Sequence, residues 1–402
     1  MPFALYLLGL AVFAQGTSEF MLAGLVPDIA RDLGVPVSTA GTLTSAFAVG
    51  MVVGAPLTAL LARRRPGRRS LLVFLGVFLA VHVAGALTAD FAVLLVTRVL
   101  AALANAGFLA VALSAAAGMV APDAKGRATA VLLGGTTLAC VAGVPAGAVL
   151  GHLLGWRAAF WAVALVSAPA LAAIARSVPG GPAAEGPGPR AARELRALRR
   201  PRLLSVLCLA ALVNGATFCT FTYLAPLVTE VGGLGAGWVP AVLALFGAGA
   251  FAGVTAAGRL ADRGRATALR AGPERGRPAD RVARSVLPAA GAALLAGWAA
   301  LALAAGQPAV AVALVPVLGL LAFGVGSTLV MRVLYEAVDA PVLGGAFATA
   351  ALNVGAALGP LLGGAALDGG FGLRSPVWIS ALLMAVAGLV ARCRTRRPAR
   401  LA

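Results

Sequence analysis

Two charged side chains stand where the surrounding sequence is otherwise apolar. Glu19 lies in LYLLGLAVFAQGTSEFMLAGLV, residues 5–26, and Arg98 in FAVLLVTRVLAALANAGF, residues 91–108. An ionised group at the centre of a membrane-spanning helix costs about 2.5–3.5 kcal/mol on an insertion scale, so such residues are usually kept for function. The chemistry open to this pair is proton exchange. Burial disfavours the charge of a carboxylate and a nearby guanidinium favours it, and the two effects can balance near neutral pH. The other reading is a static ion pair that fixes two helices. Both stand at the level of sequence. Gln15, four residues before Glu19, shares its helix face.

Depth arithmetic brings the two charges together. Glu19 is eight residues before Pro27, the expected outer end of its segment, and Arg98 is eight residues after Asp90, the expected outer start of its own. At 1.5 Å per residue each lies about 12 Å below the boundary, near the middle of a hydrocarbon core about 30 Å thick. Opposite charges at one depth lower each other's burial cost when hydrogen bonds complete the site.

The elements that must position them follow from composition. The chain has 402 residues, 60% hydrophobic and 11% charged, where a soluble domain carries about 25% charged residues. It reads as an all-α polytopic membrane protein with twelve spans, near 4–26, 38–62, 70–88, 91–118, 127–151, 158–177, 203–228, 237–259, 285–305, 308–331, 345–367 and 375–392. The net charge of +18 could suggest a nucleic-acid partner. The cations instead fall in runs between or after spans, at 63–69, 125–127, 176–202, 259–284 and 392–400. Arg-rich segments alternate with Arg-poor ones, which predicts both termini on the cytoplasmic side and leaves no basic face for nucleic acid. The first span is longer than the apolar core of a secretory signal and runs on into further spans, so it is expected to stay in the protein. Cys140, Cys208, Cys219 and Cys393 have no pairable spacing, and neither a disulfide nor a metal site is expected.

SVPGGPAAEGPGPRAARELRALRRPRL, residues 177–203, is rich in Pro and Gly and then basic. It divides the chain into six-span bundles at 1–177 and 203–402, joined by a cytoplasmic linker at 178–202. AARELRALRR within it reads either as a short amphipathic surface helix or as a solvated linker. The bundles show internal likeness. GVPAG, residues 143–147 in span 5, has a counterpart six spans later in GAALGPLLGG, residues 355–364. Parallel repeats of this kind point to an alternating-access transporter. Gly143, Gly147 and Gly151 line one helix face and admit a close neighbour, while Pro145 removes a backbone donor and favours a bend. This is either a close-packed pivot or ordinary membrane-helix packing. Gly355, Gly359, Pro360 and Gly363 repeat the choice in span 11.

Uncharged polar groups inside apolar runs are the candidates for binding a substrate: Gln15, Asn105, Asn214, Tyr223 and Asn353. Each needs a partner, in another helix or in a ligand. Phe108, Phe218 and Phe221 read either as an aromatic wall or as packing, and His82 in span 3 as a satisfied packing histidine. GRLADR, residues 258–263, is expected to open the loop after span 8. Asp262 near a helix C-terminus calls for a cationic partner, with Arg259 and Arg263 at hand, and reads as a latch or as a solvated turn. No Walker loop and no hydrolase triad is present, so neither ATP coupling nor an enzyme is expected.

Together these motifs resemble the major facilitator superfamily, and within it the twelve-span drug:proton antiporters. GRLADR is similar to its G-x-L-A-D-R loop signature, with Gly258, Asp262 and Arg263 in register. The equivalent first loop, LLARRRPGRR, departs from it, with Leu60 at the Gly position and Arg64 at the Asp position. Arg98 matches the family's embedded arginine, GVPAGAVLG its span-5 motif, and GWRAAFW its entry to span 6. A narrower resemblance, carried by FAQGTSEFMLAGLVPDIARDLGV, GTLTSAFAVGMVVGAP, TRVLAALANAGFLAVALS, FGVGSTLVMRVLY and FATAALNVGAALGP, is to actinobacterial chloramphenicol-resistance exporters. The resemblance implies two pseudo-symmetric six-helix bundles with spans 1 and 4 side by side. It implies proton-coupled efflux of a small antibiotic, chloramphenicol first, from a monomer in the bacterial plasma membrane, driven by the proton gradient without a cofactor. The alternatives are export of a sugar or sugar-like metabolite, or a broad multidrug range.

Overall fold

In the computed structural model, residues 2–61, 67–121, 124–178, 195–271, 278–337 and 343–396 are described. The departures expected at Leu60 and Arg64, and most of the linker at 179–194, concern residues or side chains outside these. The described residues are helical wherever they are regular, and twelve helices are long and apolar enough to cross a membrane. The chain is a multi-pass membrane protein, and the twelve spans fall where hydropathy placed them.

Local chemistry sets several of the ends. Span 4 runs Phe91–Gly118 and begins on Asp90, whose Oδ1 accepts a hydrogen bond from the Val93 amide at 2.9 Å, an ordinary N-cap. Span 5 ends at Leu154 and span 6 starts at Trp156, with only Gly155 between them. Gly155 has φ +83°, a value that a residue without Cβ adopts at no steric cost. Span 10, Pro308–Glu336, opens on a proline at its first position, where the missing N–H removes no helical bond.

Three spans differ from the expected pattern. Span 1 does not end at Pro27. It is one helix from Phe3 to Phe20, a break at Met21, and a second helix Leu22–Asp32 that carries Pro27 inside it. Span 7 is broken in the same manner, with a helix Pro201–Thr222, a break at Tyr223, and a short helix Leu224–Pro226 running into a π turn Leu227–Val231. Span 8 does not stop at residue 259. The helix Val239–Ala271 runs on through GRLADR, so Asp262 lies mid-helix rather than at a C-terminus. Of the linker, Leu195–Arg199 forms one turn of 3₁₀ helix.

The chain forms two compact units. The first is Met1–Arg190 with Thr222–Thr229 and Gly235–Ala244; the second is Ala191–Phe221, Glu230–Leu234 and Leu245–Ala402. In the first unit, span 5 lies along span 1. Thr17, Met21 and Leu25, four residues apart, meet Gly143, Gly147 and Gly151, also four apart. A Cβ at Gly147 would lie 3.3 Å from the Met21 Cβ, and one at Gly143 or Gly151 would collide with the Thr17 or Leu25 side chain. Span 1 returns the approach with Gly16 and Gly24, whose added Cβ atoms would lie 2.9 Å from Ala139 and 2.8 Å from Ala148. Span 2, Val37–Leu61, reaches span 4 the same way at Gly50 and Gly54, against Ala102 and Ala106 at 2.7 and 2.8 Å.

The second unit repeats both pairs. Span 11, Gly344–Asp368, presses Gly355 and Gly359 onto span 7, where added Cβ atoms would lie 2.8 Å from the Gly215 nitrogen and 3.0 Å from the Cys219 nitrogen. Spans 8 and 10 meet through Gly253 and Gly319, at 2.9 Å from the Gly324 nitrogen and 3.1 Å from the Ala250 nitrogen. Pairs 1·5 and 2·4 thus recur as 7·11 and 8·10. Lipid tails are as apolar as any helix surface, so helices in a membrane gain little from hydrophobicity and hold together by close packing.

The nature of the neighbour separates these glycines. A side chain at Gly359 meets backbone, which cannot move aside, whereas one at Gly147 meets only the Met21 side chain. Gly359→Leu is expected to cost about 1–3 kcal/mol and to lower the unfolding temperature of the detergent-purified protein, while Gly147→Ala leaves it near that of the parent. Thermal unfolding of the two variants side by side checks this.

Candidate functional site

The break in span 1 sits two residues beyond Glu19. A helix end leaves carbonyls without intrahelical partners, and these call for donors from elsewhere. Arg98 supplies one from span 4. Its Nη2 donates to the carbonyl of Ser18 at 2.6 Å and its Nη1 to the Ser18 hydroxyl at 2.8 Å. The guanidinium is 1% exposed and lies over the Phe47 ring at 4.6 Å from its centroid and near that of Phe160 at 5.9 Å. The Phe47 contact is within cation–π range, which adds to the attraction of a desolvated cation.

The partner of Arg98 is therefore Ser18, not Glu19. The Glu19 carboxylate is half-buried next door, within electrostatic reach of Arg98 and of Cys140. It makes no hydrogen bond and no ion pair among the described residues. The matched depth expected from sequence is present, although the count from Pro27 used a span end that is not there.

His82, in span 3 (Gly67–Leu87), extends the arrangement. Its Nε2 lies 2.6 Å from Ser18 Oγ and its Nδ1 2.7 Å from the Phe78 carbonyl. It is a satisfied histidine, as expected, but it joins the Arg98 group. Ser18 was passed over because a lone serine in an apolar run carries no signal. His82 had one: six residues before Thr88 it lies about 9 Å below the span end, close to the level of Arg98.

The expected binding amides separate by partner. Asn214 donates to the Leu352 carbonyl at 2.7 Å, tying span 7 to span 11. Asn353 donates to Thr349 of its own helix at 3.0 Å. Tyr223, in the first unit, donates to the Ser38 carbonyl at 3.4 Å and packs on Gly41. Asn105 reaches only the Met51 sulfur, at 3.6 Å. Gln15 differs from all four. It is 1% exposed, and neither its Oε1 nor its Nε2 has a partner. Phe218 and Phe221 pack with Phe246 and Phe323 as a row of rings, which is the packing reading of these aromatics. Pro145 follows a π turn, Ala139–Gly143, that absorbs its missing donor; π turns inside α-helices recur at functional sites.

The family model of the Major Facilitator Superfamily matches residues 8–338. The chain belongs to the Major Facilitator Superfamily. It is a transporter and not an enzyme. A Streptomyces lividans protein named as a chloramphenicol resistance protein is 58% identical over 97% of this chain and 96% of its own length. The inner membrane transport protein YdhP of Escherichia coli K12 is 33% identical over 98% and 96%. Among solved structures, the nucleoside transporter NupG superposes with a TM-score of 0.75 at 11% identity, covering 98% of this chain and 99% of the other. A bacterial homologue of the human lysosomal transporter Spinster gives 0.71 at 17%, covering 99% and 98%. At these identities the two structures share the superfamily fold and nothing finer.

A second polar cluster of this superfamily member closes the Arg-poor end of the first unit. Asp32, at the end of span 1, accepts from the Trp156 indole at 3.0 Å and from Arg157, both at the start of span 6. Arg157 also donates to the Thr88 carbonyl at 3.0 Å and stacks on Trp156 at 4.3 Å. Spans 1, 3 and 6 are stapled together. The Arg157 and Trp156 hydrogen bonds hold the Asp32 carboxyl below its usual range. A carboxylate with a lowered native pKa stabilises the fold above its ordinary value and loses that contribution as pH falls through the native one. Asp32→Asn is expected to lower the unfolding temperature at pH 7, with the gap to the parent closing below about pH 4. Thermal unfolding between pH 3 and pH 7 measures the closure.

Proposed function

We propose that this chain exports chloramphenicol in exchange for protons, by alternating access between its six-span bundles at 1–177 and 203–402. The proposed setting is the bacterial plasma membrane, with both termini and the linker at 178–202 in the cytoplasm and a monomer as the working unit. The substrate rests on the chloramphenicol resistance protein of S. lividans, 58% identical over nearly the whole of both chains. The orientation rests on the alternation of Arg-rich and Arg-poor segments.

One observation carries the coupling. Glu19 is a membrane-level carboxylate with no hydrogen bond or ion pair among the described residues, while the neighbouring guanidinium of Arg98 is engaged on Ser18. A carboxyl so placed takes up a proton in one state and releases it in another at small cost. Arg98 supplies the charge that favours release. Gln15, one turn away with its amide unpartnered in a buried setting, is the group to hydrogen-bond a neutral polar drug, since a buried amide gains most from a ligand when the protein leaves it unsatisfied. Asn105, Asn214, Tyr223 and Asn353 then serve mainly to hold helices. Gly143, Pro145 and Gly147, with the π turn that ends at Gly143, act as a joint along span 1, and Gly355, Gly359 and Pro360 are its counterpart on span 7. Gly258, Asp262 and Arg263 form a latch on the extended helix of span 8. The cycle draws on the proton gradient and needs no cofactor.

The test is export in a host stripped of its own pumps. The parent chain is expected to hold labelled chloramphenicol well below the level of cells without it, an uncoupler to abolish that difference, and Glu19→Gln to behave as the empty vector. Uphill export by Glu19→Gln with unchanged pH dependence would remove the proton role. Resistance to other drugs, or export of a sugar with no effect on chloramphenicol, would replace the substrate.

A further inference from the structure

The hydrogen-bond chain through Ser18 has its proton positions fixed by valence. Arg98 can only donate, so Ser18 Oγ accepts from Nη1, at 2.8 Å. The Phe78 carbonyl can only accept, so His82 Nδ1, at 2.7 Å, carries a hydrogen. The single Ser18 hydroxyl hydrogen then has one destination, the bare Nε2 of His82 at 2.6 Å. Ser18 and His82 satisfy each other and the Phe78 carbonyl only when the imidazole is neutral and in the Nδ1–H tautomer. The ring is 1% exposed and packs, tilted, 4.1 Å from the Phe78 ring and 5.8 Å from that of Phe160. Of the five N–H hydrogens of Arg98, two have acceptors among the described residues, and Nε has none.

We propose that Ser18 and His82 are positioning residues that hold Arg98 on the end of the first helix and thereby keep it off Glu19. His82 fixes the Ser18 hydroxyl by accepting from it. The hydroxyl then presents its lone pairs to Nη1, and the Ser18 carbonyl takes Nη2. A guanidinium with both amino groups engaged on residue 18 is not free to close on the carboxylate of residue 19. With the His82 acceptor removed, the Ser18 hydroxyl competes with Arg98 for other acceptors, and the guanidinium turns toward the nearest charge, Glu19. This rests on the reading of Glu19 as the exchanging group.

The surroundings leave few other charges to consider. Of the elements packed on span 1, span 4 brings Arg98, the π turn of span 5 brings Cys140, and span 2 brings no titratable group. Arg127 and His152 of span 5 and Arg157 and Arg176 of span 6 lie at span ends, half-buried to exposed, as do Asp28, Arg31 and Asp32 at the end of span 1 itself. Span 3, which brings His82 to Ser18, carries Arg68 and Arg69 at its far end.

The full chain in proteoliposomes, exchanging labelled chloramphenicol for protons, reads the consequence as the pH midpoint of transport. His82→Leu and Ser18→Ala are expected to move the midpoint to lower pH by about one to three units, the size of a new arginine–carboxylate contact. His82→Gln, whose carbonyl still accepts from Ser18, is expected to keep the parent midpoint. A packing role alone would lower yield or maximal rate in all three and leave the midpoint in place. Unmoved midpoints in His82→Leu and Ser18→Ala, with pH dependence lost in Glu19→Gln, overturn the positioning role and spare the reading of Glu19. Persistence of pH dependence in Glu19→Gln overturns that reading instead, and the hydrogen-bond chain is then judged by nitrogen NMR. The chain has two histidines, so His152→Gln leaves His82 as the one labelled ring. The neutral Nδ1–H tautomer at pH 7, altered in Ser18→Ala, supports the chain; a charged ring or the Nε2–H tautomer refutes it. The same spectrum decides if His82→Leu fails to fold.

Discussion

A guanidinium sealed among helices must have its donors accepted, and in this chain the acceptor is the frayed end of another helix. Arg98 cannot shed its charge at any working pH, and leaving it unpaired would be strongly destabilising. The break at Met21 frees backbone at the right depth, and Ser18 offers Arg98 a carbonyl and a hydroxyl at once. Much of the first unit follows from that requirement. Span 3 must bring His82 to the same hydroxyl, span 2 must bring the Phe47 ring to the guanidinium, and span 6 must bring Phe160 alongside. Among the described residues, Glu19 is then a charged group beside this cluster that the arrangement leaves without a hydrogen bond or ion pair.

Such a cluster needs spans that approach closely and hold their register. The glycine rows supply this. Where Gly143 and Gly147 face Thr17 and Met21, span 5 fixes both the height and the rotation of the segment that carries Ser18 and Glu19. A shift of one residue along span 5 would put Val144 where Gly143 now meets the Thr17 side chain. Register along this pair therefore sets where the carboxylate lies. The π turn at Ala139–Gly143 inserts a residue's worth of extra turn beside Glu19, which is where a small change of pitch would be felt most by the charged cluster.

The spans were legible because apolar length is a direct consequence of the hydrocarbon thickness, and Glu19 and Arg98 were legible because charge inside such lengths is rare. The level of the pair was legible too, since rise per residue is fixed. What was not legible was the partner. A serine carbonyl is present at every serine, and only the three-dimensional break of span 1 makes this one available. The break has no Pro or Gly at Met21 to announce it, and Pro27, which reads as a stop, is carried inside the following helix as its sixth residue. The run of span 8 through GRLADR was missed for the converse reason. A change from apolar to charged residues marks the edge of the membrane, not the end of a helix, and Arg, Ala, Asp and Leu have no reason to unwind there.

The two units show how a duplicated frame can carry unequal chemistry. The glycine-lined pairs 1·5 and 2·4 recur as 7·11 and 8·10, so the packing frame is common to both. The buried polar groups are not. In the first unit they include Arg98, His82 and Gln15; in the second, the described ones are hydroxyls and one amide, Thr217, Thr220, Ser375, Ser380 and Asn353. Thr220 and Ser380 bond to each other at 2.7 Å, and Ser380 to the Ala216 and Pro376 carbonyls at 2.6 and 3.0 Å. These bonds join helices and, being uncharged, cost far less to bury than an ion. A frame duplicated with one charged half keeps the costly desolvation in a single place. A transporter that takes a neutral solute needs no second charge to hold it, and under the proposed coupling the charged chemistry of the described residues is gathered in the first unit.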